Sequence, residues 1–134
     1  MTKIELPLFV EKIVDDLKTN VSTKSIWLVG SRANSSARQD SDWDLLVFVD
    51  EELSPVKARD SRVDVIRVDA HGKYLLEGQS ESNSFSNWCW NDLGNREARY
   101  SVRVCPQAKN DGLIDLSLVQ IKTLHGCQIW SYHA

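Results

Sequence analysis

With 134 residues, the chain has the length of one domain, expected over residues 1–134, and no Gly/Ser/Pro-rich stretch or shift of composition divides it. An apolar share of 42% and a charged share of 26% exclude a disordered or fibrous protein and fit an ordinary globular one. The formal charge of −3 gives no general pull on nucleic acid, and no apolar run is long enough to cross a bilayer, so neither is expected as a partner.

In chain order, Leu8, Phe9, Ile13, Val14 and Leu17 recur at helical spacing and predict a first helix, with Pro7 suited to its first turn. Ser25–Val29 is short, apolar and ended by Gly30, the pattern of a buried strand. Ser31 to Arg38 is rich in small residues and is expected to turn into a short helix. Trp43–Val49 is the strongest strand signal, continuous, β-branched and aromatic; Val63–Val68 predicts a third strand. From His71 to Asn95 periodicity fails, and a long, partly ordered excursion is expected. Arg99–Cys105 alternates like a half-exposed strand ended by Pro106. Leu116–Leu124 is read as a helix capped by Gly126, and Cys127–Tyr132 as a last short strand. This order predicts an α/β (α+β) fold, a mixed β-sheet with flanking helices.

Cys89, Cys105 and Cys127 are odd in number and far apart, without the close pairing of a zinc site or a redox CxxC. Reduced, partly buried thiols are expected. The segment MTKIELPLFVEKIVDD mixes acids with apolar residues and lacks a signal-peptide pattern, so the expected compartment is the cytoplasm.

The informative segment is Gly30-Ser31, ten residues, then Asp42-Trp43-Asp44. Side chains alternate along a strand, so Asp42 and Asp44 share a face, with Cα atoms roughly 6.5–7 Å apart. Two like charges there repel unless a cation lies between them. Hard divalent ions take carboxylate and phosphate oxygens, and a pair of them about 4 Å apart serves phosphoryl or nucleotidyl transfer. Gly30 lets the backbone approach a phosphate closely, a helix starting there offers N–H groups, and Ser31 and Arg32 are further candidate contacts. Asp64 opens an apolar strand as Asp44 does, and in adjacent strands the three carboxylates would converge. Its rival readings are a solvated strand start and a salt bridge with Arg62 or Arg67.

The stretch GSRANSSARQDSDWDLLVFVD resembles the signature of the DNA polymerase β-like nucleotidyltransferase superfamily, especially its minimal nucleotidyltransferase branch. The likeness runs from Ile26 to about Val68, and more loosely over the terminal IKTLHGCQIWSY. It implies the nucleotidyltransferase fold, with Gly30 and Ser31 holding the triphosphate and Asp42, Asp44 and Asp64 as the catalytic, metal-binding acids. It further implies two Mg²⁺ ions, with Mn²⁺ as an alternative. The implied activity moves a nucleoside monophosphate, AMP from ATP, to an unidentified hydroxyl acceptor. Two departures stand out: many relatives have Gly in place of Ser35, and a smaller aliphatic in place of Trp43, whose bulk suggests an interface on the opposite face.

Asp115 is a rival third acid, with helix capping as its expected task, and His71, His125 and His133 lack ligand spacing. Phe85, Trp88, Trp90 and Tyr100 are expected to fill a core or an interface rather than stack on a base or acceptor. Arg96, Arg99 and Arg103 read as a solvated strand face. Two further readings stay open, an antitoxin-type module pairing with a helical toxin in a hetero-oligomer and an inactive relative that binds nucleotide.

Overall fold

A computed structural model of the chain describes residues 4–104 and 120–132. Helix α1 (Leu8–Lys18) begins after Pro7, whose carbonyl accepts the N–H groups of Val10 and Glu11. The helix buries Val10, Ile13, Val14 and Leu17, an i, i+3, i+4, i+7 stripe. Leu8, expected on that stripe, is exposed, and Val10 takes its place because the inward arc begins one residue into the first turn. At the other end the Thr23 hydroxyl donates to the Leu17 carbonyl at 2.9 Å, tying the last turn to the first strand.

One mixed sheet of eight strands carries the rest of the described chain. The strands are β1 (Thr23–Val29), β2 (Trp43–Val49), β3 (Val63–Val68), β4 (Lys73–Leu76), β5 (Asn83–Ser84), β6 (Asn91–Gly94), β7 (Glu97–Val104) and β8 (Gln120–Ser131). Their order across the sheet is β5-β4-β3-β2-β1-β8-β7-β6. Neighbours are antiparallel except β2 and β3, which run parallel. Each side of the central strands is apolar for its own reason. Leu45, Val47, Val49, Val63 and Val65 meet α1 on one side. Leu46, Phe48, Ile66 and Val68 meet an aromatic cluster on the other. Burial on both sides explains why Trp43–Val49 is a continuous apolar run rather than an alternating one.

The sheet departs from expectation in three places. Flanking helices are few, since α1 is the one α-helix among the described residues. The segment from His71 to Asn95 is ordered rather than an excursion, containing β4, β5, a 3-10 turn (Phe85–Trp88) and β6. Its turns are set by side chains: Asp69 Oδ1 accepts the N–H groups of His71 and Lys73 before β4. Asn95 and Arg96, both with positive φ, close the two-residue loop between β6 and β7. Finally, the helix expected to reach Leu124 is overturned from Gln120 onward, where β8 pairs with β7 from Gln120 to Cys127. Gly126 is therefore no helix cap; it lies inside a strand beneath the Trp90 ring. Leu116 to Val119, Asp115, Cys105 and His133 lie outside the described residues.

Phe85 and Tyr100 are buried, with Trp88 and Trp90 half-buried against them, which makes this set a core as expected. Arg96, Arg99 and Arg103 are exposed. Cys127 is half-buried, whereas Cys89 is exposed because it stands at the end of its turn with φ 50°. On the α1 side, the Glu77 carboxylate is 1% exposed and takes three hydrogen bonds from Arg59. Arg59 also pairs with Asp16 of α1, and Arg67 donates to the Ser54 carbonyl, so the β2–β3 connection is tied down. No helix among the described residues is long and apolar enough to cross a membrane.

Candidate active site

Gly30 ends β1 at φ 75° and ψ −159°, a backbone region that is essentially open to glycine alone. A Cβ there would collide with the Asp44 carboxylate, so the residue is glycine for space as well as for backbone shape. The segment after it is one 3-10 turn, Ser31–Ala33, rather than the expected short helix, and it offers no helix dipole. Turn bonds run from the N–H of Ala33 to Gly30 O and from those of Asn34 and Ser36 to Ser31 O. The N–H groups of Ser31 and Arg32 take no part in them. The Gly30 N–H donates to the Tyr100 hydroxyl at 2.7 Å.

Arg32 leans over the Trp43 ring, 4.6 Å from its centroid, and donates to the carbonyls of Gln39 and Ser41. Its guanidinium thereby fixes the loop that delivers Asp42. Its buried Nε finds no partner among the described residues. Trp43 packs against the α1-side core and carries Arg32, so its bulk has a role within the chain.

The acids follow from strand pairing. Because β2 and β3 are parallel with Asp44 opposite Asp64, both carboxylates leave the same side of the sheet from neighbouring backbones. Asp42 precedes β2 and is exposed. The salt bridge considered for Asp64 does not form, since Arg62 pairs with Asp60 and Arg67 turns to Ser54 and Glu77 on the α1 side. Asp44 is pushed up to about 7, first by burial, then by a hydrogen bond shared with Asp64, and then by the charges of Asp64 and Asp42. Among the described residues no three acidic, His or Cys side chains are grouped so as to hold a metal ion, so the expected convergence of all three carboxylates is not seen, and Asp44 and Asp64 are the pair that strand pairing brings together. Asp44 and Asp64 nevertheless fit a hard divalent ion: they crowd negative charge on one spot, and Mg²⁺ takes one or two carboxylates and completes its shell with phosphate and water.

Two contributors escaped the sequence. Tyr100, 2% exposed, brings its phenol oxygen from β7 onto Gly30. The Asn34 side chain donates to Gly30 O at 2.7 Å and to His125 O at 3.0 Å, and accepts from His125 N at 2.8 Å. Tyr100 lies in no recognisable motif, and Asn34, though inside the signature stretch, was singled out by nothing but a side-chain amide four residues beyond a glycine that ends a strand. A separate concavity, about 570 Å³ and lined by Asp50, Glu51, Asp69 and His71 among others, opens at the far ends of β2 and β3. It is remote from Asp44 and Asp64, each the second residue of its strand, and it takes no part in the site.

Comparisons with curated proteins and with solved structures each returned no match. The family described as "Nucleotidyltransferase domain" matches residues 10–111, more than half of the chain. That span extends well beyond the likeness visible in the sequence and includes the Gly30 turn, all three acids and Tyr100. The chain therefore belongs to the nucleotidyltransferase domain family.

Proposed function

We propose that this member of the family belongs to the minimal nucleotidyltransferase branch and moves AMP from ATP, with divalent metal, to a hydroxyl acceptor. The observation that carries the proposal is the in-register pairing of Asp44 with Asp64 beside a glycine whose missing side chain leaves room for the Asp44 carboxylate. In the reaction the acceptor oxygen bonds to the α-phosphorus, the bond from that phosphorus to the bridging oxygen breaks, and pyrophosphate leaves. When bound, Mg²⁺ or Mn²⁺ supplies charge neutralisation and lowers the pKa of the attacking hydroxyl.

Asp44 and Asp64 would hold the ions through their carboxylate oxygens, with Asp42 adding a third acid from the loop that Arg32 fixes. Asp64 is the acid suited to receive the acceptor's proton, because it neighbours Asp44 and is engaged by neither Arg62 nor Arg67. Ser31 and the backbone of its turn are suited to the β- and γ-phosphates. Arg32, held by the loop carbonyls, acts on the site through Asp42 rather than as a free phosphate clamp.

The test is incubation with Mg²⁺, ATP labelled at the α-phosphate and a panel of hydroxyl acceptors, following label transfer and pyrophosphate release. Asp42→Ala and Asp44→Ala should each lower transfer by at least about 100-fold, the order seen when one group that stabilises transition-state charge is removed. Transfer that survives both substitutions rules the mechanism out.

A further inference from the structure

The Gly30-Ser31 turn is held from the far half of the sheet. Gly30 offers two backbone groups, and both are taken by residues outside β1: its N–H by Tyr100 of β7 and its carbonyl by the Asn34 amide, which also grips β8 at His125. The Tyr100 ring is itself fixed, stacked on Trp90 with centroids 5.9 Å apart and tilted against Trp88 at 5.3 Å. A buried phenol in so tight a seat has little freedom, and burial holds its pKa above the usual tyrosine range, so it stays a neutral hydroxyl that can accept from Gly30.

We propose that Tyr100 and Asn34 are positioning residues that lock Gly30 in its glycine-only conformation, and so set the phosphate-facing turn against Asp44. On the nucleotidyl-transfer reading, on which this consequence rests, they touch neither ATP nor the reacting atoms, yet their loss weakens nucleotide binding. The physical reason is local. Without the phenol oxygen, the Gly30 N–H loses its acceptor, and the cheapest remedy is rotation of the peptide that carries it. That rotation displaces Ser31 relative to Asp44.

The experiment uses the full chain with ¹⁵N-labelled glycine, whose six residues make the Gly30 amide assignable. Three variants are compared: Tyr100→Phe keeps the ring but removes the oxygen, Asn34→Ala removes the clip, and Tyr74→Phe deletes a hydroxyl elsewhere in the same aromatic cluster. In Tyr100→Phe, Gly30 amide exchange should accelerate at least tenfold and the Kd for ATP with Mg²⁺ should rise about tenfold. Melting temperature should change little. Asn34→Ala should raise the Kd similarly, and Tyr74→Phe should alter neither readout. If Tyr100→Phe matches Tyr74→Phe in both exchange and affinity, the residue only fills space and the proposal is overturned. If wild type itself does not bind ATP with Mg²⁺, the transfer reading fails, and amide exchange alone then decides whether Tyr100 holds the turn. Should Tyr100→Phe not fold, Asn34→Ala decides, and wild-type affinity in it overturns the proposal.

Discussion

Ser35 shows what a single backbone angle can cost. It sits at φ 57°, in the left-handed region that glycine adopts without cost. A side chain there costs roughly 1–2 kcal/mol, while glycine gives back about 0.5–1 kcal/mol through its freer unfolded state. Ser35→Gly is therefore expected to stabilise the protein by about 0.5–1 kcal/mol, raising Tm by roughly 2–4 °C at this chain length. Thermal unfolding followed by circular dichroism checks it, and an unchanged or lower Tm would show that the serine is not strained. Gly30 is the opposite case, since its φ and its contact with Asp44 both forbid a side chain. The sequence displayed both residues, but only Gly30 announced its role, because a glycine ending an apolar strand is a recognisable stop whereas a serine in a small-residue loop is not.

At the scale of elements, β8 joins the two halves of the sheet, and Gly126 is where it makes room for them. An added Cβ at Gly126 would lie 3.1 Å from the Trp90 ring and 3.4 Å from Val29 Cγ1. Trp90 in turn packs edge-on against Trp27 at 5.0 Å and stacks on Tyr100. Gly126→Val should unseat Trp90, at about 1–3 kcal/mol, the usual range for overpacking. Urea unfolding would show a lower midpoint, and tryptophan emission of the native state would shift to the red; a native spectrum and midpoint like wild type would mean that the cluster absorbs the branch. Strands β1, β2 and β3 were legible because burial on both faces makes continuous apolar runs, and β2 and β3 were read to the residue. The acids were legible for the same reason, as charges interrupting those runs. β4 to β6 were not, because they are short and mostly exposed, and their turns depend on Asp69, Asn95 and Arg96 rather than on Gly-Pro punctuation. The first part of β8 was misread because Ile121 and Leu124, three residues apart, fit a helical stripe equally well, and only pairing with β7 decides between the two; its last residues, from Cys127, were read as a strand.

For the molecule as a whole, the sheet brings two carboxylates together, and its stability must answer to pH. Metal-free Asp44 keeps its proton up to about pH 7, whereas in the unfolded chain it releases it near 3.8. Between those values the native state binds more protons than the unfolded one, so stability falls as pH rises through this window and levels off above it. Asp60, lowered to about 2 by Arg62, exerts its effect at more acid pH and does not obscure the trend. If, as proposed, a divalent ion binds at Asp44, it would take the place of that proton, so Mg²⁺ should raise Tm more at pH 8 than at pH 5. Asp44→Asn, which removes the charge but nearly keeps the shape, should flatten the decline between pH 4 and 7 and abolish the Mg²⁺ response. Melting curves of both proteins at pH 5 and 8, with and without Mg²⁺, give the difference attributable to Asp44. Equal Mg²⁺ shifts at the two pH values would mean that the ion does not compete with the Asp44 proton, and would remove Asp44 from the metal site.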